Sequence, residues 1–302
     1  FVTVLEALGR TLAPEPFLST VLLAGQALRL GGSESQQKEW LPGLIAGEKI
    51  LAVAYQERSS RYDLAAVETK AEPSGDGFLL SGEKIQVLDG HVADALIVSA
   101  STSGGVSLFL VPKGASGMEI TRQSRVDCRN AAIVKLDGVS LAKSDLVGEI
   151  GAGGDLLEQV VDLATVGLCA EMLGGMSEAL DQTMEHLKTR VQFDVPIGSF
   201  QALKHRAADM FIEVELCRSA VMAAARAVDE ENENVRKLIS LAKARCSDTF
   251  VLVTNEAVQM FGGVGMTDEY DIGFYMKRAR AAEMTFGDAA WHRDRWARLS
   301  GY

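Results

Sequence analysis

The stretch Gln259–Asp288, QMFGGVGMTDEYDIGFYMKRARAAEMTFGD, decides how the chain is read. Gln259, Gly262, Gly263 and Gly265 lie between two helical patterns. Glycines there let backbone approach a ligand closely and turn N–H groups toward phosphate oxygens. A glycine-rich helix–helix turn needs no ligand by itself, so its neighbours matter. Glu269 and Tyr270 close the turn, and a basic helix follows whose Lys277, Arg278 and Arg280 suit facing carboxylates. The stretch ends at Gly287-Asp288, a turn that opens one more helix with Asp288 in the favoured N-cap position. That helix carries Trp291-His292-Arg293-Asp294-Arg295, where His292 reads as a surface or partner contact.

Composition sets outer bounds. A chain of 302 residues can bury a large core or split into two or three domains. With 47% hydrophobic and 24% charged residues it reads as a soluble globular protein. A net charge of −11 argues against nucleic acid or an anionic membrane surface as partner. Cys128, Cys169, Cys217 and Cys246 stand far apart without a C-x-x-C pair, so buried reduced thiols are expected rather than a disulfide framework. Four scattered histidines offer no metal-ligand spacing. No apolar run reaches the length of a membrane span, and no signal sequence is visible. The first residue is Phe1, so the chain is read as trimmed, and a cytoplasmic enzyme is the expectation.

Three grammars follow one another along the chain. Residues 1–48 are helical, with Gly31-Gly32 followed by Ser33 and Ser35 marking a stop and a fresh start. Residues 49–147 break into short apolar runs separated by Gly, Ser, Asp and Pro: 50–54, 78–80, 95–99, 106–111 and 133–136. That pattern predicts a small antiparallel β domain. After glycines 151, 153 and 154, residues 148–302 return to helix, with segments 156–189, 200–228, 232–261 and 273–297 long enough for a four-helix bundle. The predicted fold class is α+β.

With these motifs in place, the chain closely resembles the flavin-dependent acyl-CoA dehydrogenases, whose pattern Q-x-x-G-G-x-G-[FM]-x-x-E-[YF] precedes a basic helix. A second stretch, Arg190-Val191-Gln192-Phe193 with Pro196-Ile197-Gly198-Ser199-Phe200-Gln201, resembles the same family's R-x-x-F-G-x-x-[IL]-x-x-[FH]-Q. The resemblance implies FAD as cofactor. Arg190 would reach its pyrophosphate, where a planar guanidinium fork suits phosphate oxygens. Phe193 would pack near the adenine, and Gln259, Gly262 and Gly263 would form the other half of the cofactor site. In the family these residues serve the flavin of a neighbouring subunit, so the resemblance also implies a homo- or hetero-oligomer, dimer or tetramer. The family glycine after Phe193 is Asp194 here. The bland reading of Arg190 is a surface arginine near a helix C-terminus.

The β domain departs further. The family's T-E-P-x-A-G-S-D stretch matches Gln56-Glu57-Arg58-Ser59-Ser60-Arg61-Tyr62-Asp63, keeping Glu57 and Asp63 but losing the Pro, the Gly and the last Ser. The stretch W-[IY]-[TS]-N, which covers the flavin ring and bonds N5, matches Gln86-Val87-Leu88-Asp89, without the aromatic cover or the hydroxyl. Lys84, Asp89, Gly90 and Asp94 read as strand-end and turn residues.

The family's catalytic base is a glutamate that falls on Phe286 or, in some members, on Ala164, and neither residue ionises. Three carboxylates are near in sequence: Asp288, Asp162 and Glu171. Asp288 is the one candidate named as a displaced base, against its reading as an N-cap. Three functions are therefore open. The chain is an acyl-CoA dehydrogenase with a displaced base, passing electrons to an electron-transfer flavoprotein. Or it is a base-less helper subunit of a heteromeric dehydrogenase, such as those acting on steroid side-chain or dicarboxylic thioesters. Or it is a flavin-free structural relative.

Overall fold

The computed structural model describes residues 1–302 and falls into two compact units. One comprises Glu15–Ala164, the other Phe1–Pro14 with Thr165–Tyr302. The helical N-terminus is thus divided between them. Helix α1 (Val2–Arg10) belongs with the C-terminal helices, while a π-helical segment (Phe17–Gly25), α2 (Gln26–Gly31) and α3 (Glu34–Ile45) belong with the sheet. Hydrogen bonds show why: Thr20 Oγ1 donates to Leu51 O at 2.9 Å, and Gln36 Nε2 donates to the carbonyls of Ser144 and Leu146. The break at Gly31-Gly32 is as expected, with Ser33 and Gln36 forming a reciprocal capping box on α3.

The sheet holds β1 (Leu51–Ala54), β2 (Lys70–Ser74), β3 (Gly77–Leu88), β4 (Ala95–Thr102), β5 (Gly105–Pro112), β6 (Met118–Gln123), β7 (Ala131–Ala142) and β8 (Leu146–Val147). Its order is β6-β7-β3-β2-β4-β5-β8, with β1 beside β4. The expected antiparallel sheet is mixed: β1 pairs with β4 in parallel from Leu51↔Ala95 to Ala54↔Val98, and β2 meets β4 in parallel at Lys70↔Ser101. The hairpin of β2 and β3 lies between β1 and β4 in sequence, a crossover long enough for parallel pairing. Every residue of β1 is buried, which explains its unbroken apolar run. The core between the strands includes Phe78, Leu80, Val98, Phe109, Val134 and Leu141, with the rings of Phe78 and Phe109 5.1 Å apart.

The helical unit contains the C-terminal part of α4 (Gly153–Thr189), a hairpin of β9 (Val191–Gln192) and β10 (Val195–Pro196), then α5 (Gln201–Asp229), α6 (Val235–Phe261), α7 (Ile272–Met284) and α8 (Ala289–Leu299). The fourth expected helix, 273–297, is two helices. Phe286 and Gly287 adopt φ of +61° and +113°, which no α-helix accommodates. Helix α1 crosses α4 backbone to backbone: a Cβ on Gly174 would sit 2.0 Å from Glu6 O, and one on Gly9 would sit 2.0 Å from Glu171 O. Only glycine permits that approach. Cys169, Cys217 and Cys246 are buried free thiols and Cys128 is exposed. No helix is long and apolar enough to cross a membrane.

Candidate functional site

Arg190 follows the last turn of α4, its N–H donating to His186 O at 2.9 Å, so its side chain leaves from the helix end into solvent. The chain then turns through the β9–β10 hairpin, paired Val195↔Gln192, with Phe193 and Asp194 as its two-residue loop. Both have positive φ, 56° and 63°, the signature of a type I′ turn. Aspartate tolerates this conformation, so Asp194 stands in for the family glycine without breaking the turn. The loop lifts Phe193 to 86% exposure, its ring edge-on to Phe200 at 6.0 Å.

Helix α6 ends beside the last turns of α4. His186 stacks on Phe261 at 4.2 Å and 15°, and Tyr270 meets both rings edge-on, at 5.7 Å and 5.0 Å. Phe261 directly precedes Gly262, whose φ of 69° with ψ of −146° is open only to glycine. Gln259, Gly262 and Gly263 are exposed, and a Cβ on either glycine would meet nothing within 4 Å. Arg190 and the glycine turn, seventy residues apart in sequence, are therefore at one end of one bundle. Burial, and secondarily the charge of Arg190, holds His186 below the ordinary histidine range.

The turn between α7 and α8 is built differently. Lys243, fully buried on α6, donates to Glu283 O at 3.0 Å, Gly287 O at 2.7 Å and Ser247 Oγ at 2.9 Å. Burial lowers its pKa to about 8. His292, expected at the surface, is 1% exposed, because α8 turns its ring back under the loop, where Nε2 lies 3.1 Å from Phe286 O. Three carbonyls of the turn thus face two buried nitrogen bases. Asp288 Oδ1 accepts the N–H of Trp291 at 2.8 Å, the capping role. Phe286, expected from the motif alignment to stand at the base position, is buried. Arg278 of the basic helix faces Glu171 of α4 at 2.7 Å, whereas Arg280 pairs at 3.3 Å with Glu283 of its own helix.

In the other unit Ala164 is fully buried and Asp162 is buried and engaged. Lys84 is not a strand-end residue but lies mid-strand, wholly buried. One extra residue on β3 between Lys84 and Val87 forms a bulge that aims both inward. Its Nζ meets Glu57 Oε1 at 2.6 Å and Ser99 Oγ at 3.0 Å, while the other Glu57 oxygen accepts Glu68 N at 2.7 Å. Burial lowers the Lys84 pKa to about 8 despite that partner. Asp89 accepts Ser19 Oγ at 2.5 Å, and Asp94 accepts Ile50 N at 2.9 Å, turn roles as expected.

Two family models match the chain: "Acyl-CoA dehydrogenase, middle domain" over residues 52–136 and "Acyl-CoA dehydrogenase, C-terminal domain" over residues 151–300. The chain belongs to the acyl-CoA dehydrogenase family. Acyl-CoA dehydrogenase FadE27 of Mycobacterium tuberculosis is 33% identical over 295 residues, 95% of this chain and 77% of that protein. A chain in the crystal structure of the ChsE4-ChsE5 complex from Mycobacterium tuberculosis is 32% identical with a TM-score of 0.92, covering 100% of this chain and 80% of that one. The FAD complex of PigA, 26% identical, has a TM-score of 0.94 over 99% of this chain and 81% of that one. As an acyl-CoA dehydrogenase family member the chain is an oxidoreductase or a flavin-site subunit of one. Sequence reading nominated Arg190, Phe193, Gln259, Gly262 and Gly263 by motif, and did not single out Lys243 or His186. Their isolated polar groups in helical stretches gave no pattern to detect.

Proposed function

We propose that this acyl-CoA dehydrogenase chain is the base-less helper subunit of a heteromeric enzyme. It completes the FAD site of a neighbouring subunit, and that neighbour takes the substrate's α-proton. The observation that carries this is the α7–α8 turn: Phe286, which the motif alignment sets at the base position, is buried and cannot ionise, and Asp288 caps α8. Lys243 and His292 hold the carbonyls around them. The same asymmetry appears in Glu171, which is committed to Arg278. By contrast, the residues that would serve a neighbour's cofactor stand in solvent.

The exposed set fits a dinucleotide. Arg190 offers a fork of donors to phosphate oxygens, and Gly262 and Gly263 present bare backbone with open space above it. Gln259 adds an amide, and Phe193 an exposed ring for the adenine. When bound, FAD supplies the hydride acceptor for oxidation of an acyl-CoA thioester. The likeness to a complex of two differently named chains supports a heteromeric partner, and an electron-transfer flavoprotein is the acceptor this reading implies.

The test is the visible spectrum, mass by light scattering and acyl-CoA turnover of the chain purified alone. We expect substoichiometric flavin and no turnover. A homo-oligomer with unit flavin, whose turnover is abolished by Asp288→Asn, would restore the displaced-base function. In the assembled enzyme, Arg190→Ala should strip FAD on gel filtration; full retention would remove Arg190 from the cofactor site.

A further inference from the structure

We infer that His186 is the positioning residue that registers Arg190 with the Gly262–Gly263 turn, so that a dinucleotide's phosphates meet one preformed surface. The inference rests on the proposal that this face takes FAD. Arg190 and the glycine turn come from different helices, and neither is buried. An exposed arginine on a helix end and an exposed glycine turn have no reason of their own to keep a fixed separation. His186 supplies one.

Its position is what matters. One turn before Arg190, it is buried at 7% exposure while Arg190, Gly262 and Gly263 are exposed. Its ring lies flat on Phe261, the residue before Gly262, and Tyr270 closes the far end of the glycine segment against both rings. The trio therefore ties three points together: the end of α4, the end of α6, and the close of the loop that follows. Backbone bonds extend the tie on either side, since His186 O accepts Arg190 N and Arg190 O accepts Ile197 N at 2.8 Å, anchoring the hairpin base.

The chemistry suits a neutral ring. Burial and the nearby Arg190 charge both lower the His186 pKa, so the imidazole stacks without adding a second fixed charge beside the guanidinium. The residue acts through Arg190 and Gly262 and does not touch the ligand. An ordinary core aromatic would stabilise the bundle without coupling these two exposed segments, and that difference is measurable.

The experiment compares the chain with His186→Ala and His186→Tyr by hydrogen exchange, and by binding of ADP, which carries adenine and two phosphates without the flavin ring. In His186→Ala we expect exchange to quicken about tenfold in both 190–197 and 262–270, with the rest of the bundle unchanged. We expect ADP affinity to fall about tenfold, as in Arg190→Ala. His186→Tyr, which keeps the stacked ring, should restore both readouts. Quickening in only one segment, no rescue by tyrosine, or unchanged ADP affinity would each overturn the inference. If the unaltered chain binds no ADP, the cofactor reading of this face fails, and the exchange data still decide whether His186 couples the two segments.

Discussion

His292 makes the stability of the helical unit pH-dependent in a way that can be calculated. Burial first, then the charges of Lys243 and Arg295, push its pKa from the ordinary 6.5 to about 3, opposed by its bond to Phe286 O. Its Nδ1 is buried without a partner, so the folded state has no acceptor ready for a second N–H. The folded pKa is depressed. The stabilisation is therefore complete above pH 6.5 and is lost as pH falls toward 3, because only the unfolded state takes up the proton in that window. At pH 5 the unfolded side chain has been protonated 1.5 pH units below its ordinary 6.5, which corresponds to about 2 kcal/mol. Complete titration to pH 3 corresponds to about 5 kcal/mol. The perturbation is His292→Gln, whose amide keeps a donor for Phe286 O and cannot titrate. Urea unfolding of both proteins at pH 7.5 and pH 5 gives the comparison, because the other ionisable groups cancel between them. The stability advantage of the unaltered protein should shrink by about 2 kcal/mol at the lower pH. A difference that stays constant would mean that His292 titrates normally and that the ring is not held neutral by its surroundings.

Two further outcomes follow from the ion pair and the cap. Glu57→Gln leaves the Lys84 ammonium buried without its carboxylate, and should cost about 3–5 kcal/mol; a change in thermal midpoint of under a degree or two would show the pair to be dispensable. Asp288→Asn preserves a capping oxygen and should leave stability nearly unchanged, whereas Asp288→Ala should lose about 1 kcal/mol in denaturant unfolding. Equal losses in the two variants would point to a role for the charge beyond the cap.

Much of the architecture was legible in linear patterns. Ser33 and Gln36 cap α3 as the Gly31-Gly32 break foretold, and the 3.6-residue periodicity located α4, α5 and α6 within a few residues. The fourth helical segment was harder. The Gly287-Asp288 turn with its N-cap was visible in the sequence, yet 273–297 still read as one length, and the positive φ values of Phe286 and Gly287 place the break. Lys84 was misplaced although it shares the inward alternation of Phe78 and Leu80, because a lysine is rarely buried without a partner and Glu57 is distant in sequence. His292 was misplaced because an isolated histidine among charged residues carries no periodic signal of burial.

For this protein, sequence alone determined the family and the order of helix, sheet and helix, and nominated Arg190, Phe193, Gln259, Gly262 and Gly263 as the proposed cofactor set, because these depend on local spacing and on motifs that tolerate few residue types. Only the tertiary structure decided that Arg190 and Gly262 share one end of a bundle through His186, and that Asp288 caps a helix above a turn held by Lys243 and His292. Those facts depend on long-range contacts, His186 with Phe261 and Lys243 with Gly287, closed by the short-range bonds of Asp288 and His292. They are fixed by how helices pack and which carbonyls a buried nitrogen can reach, quantities that no spacing along the chain encodes.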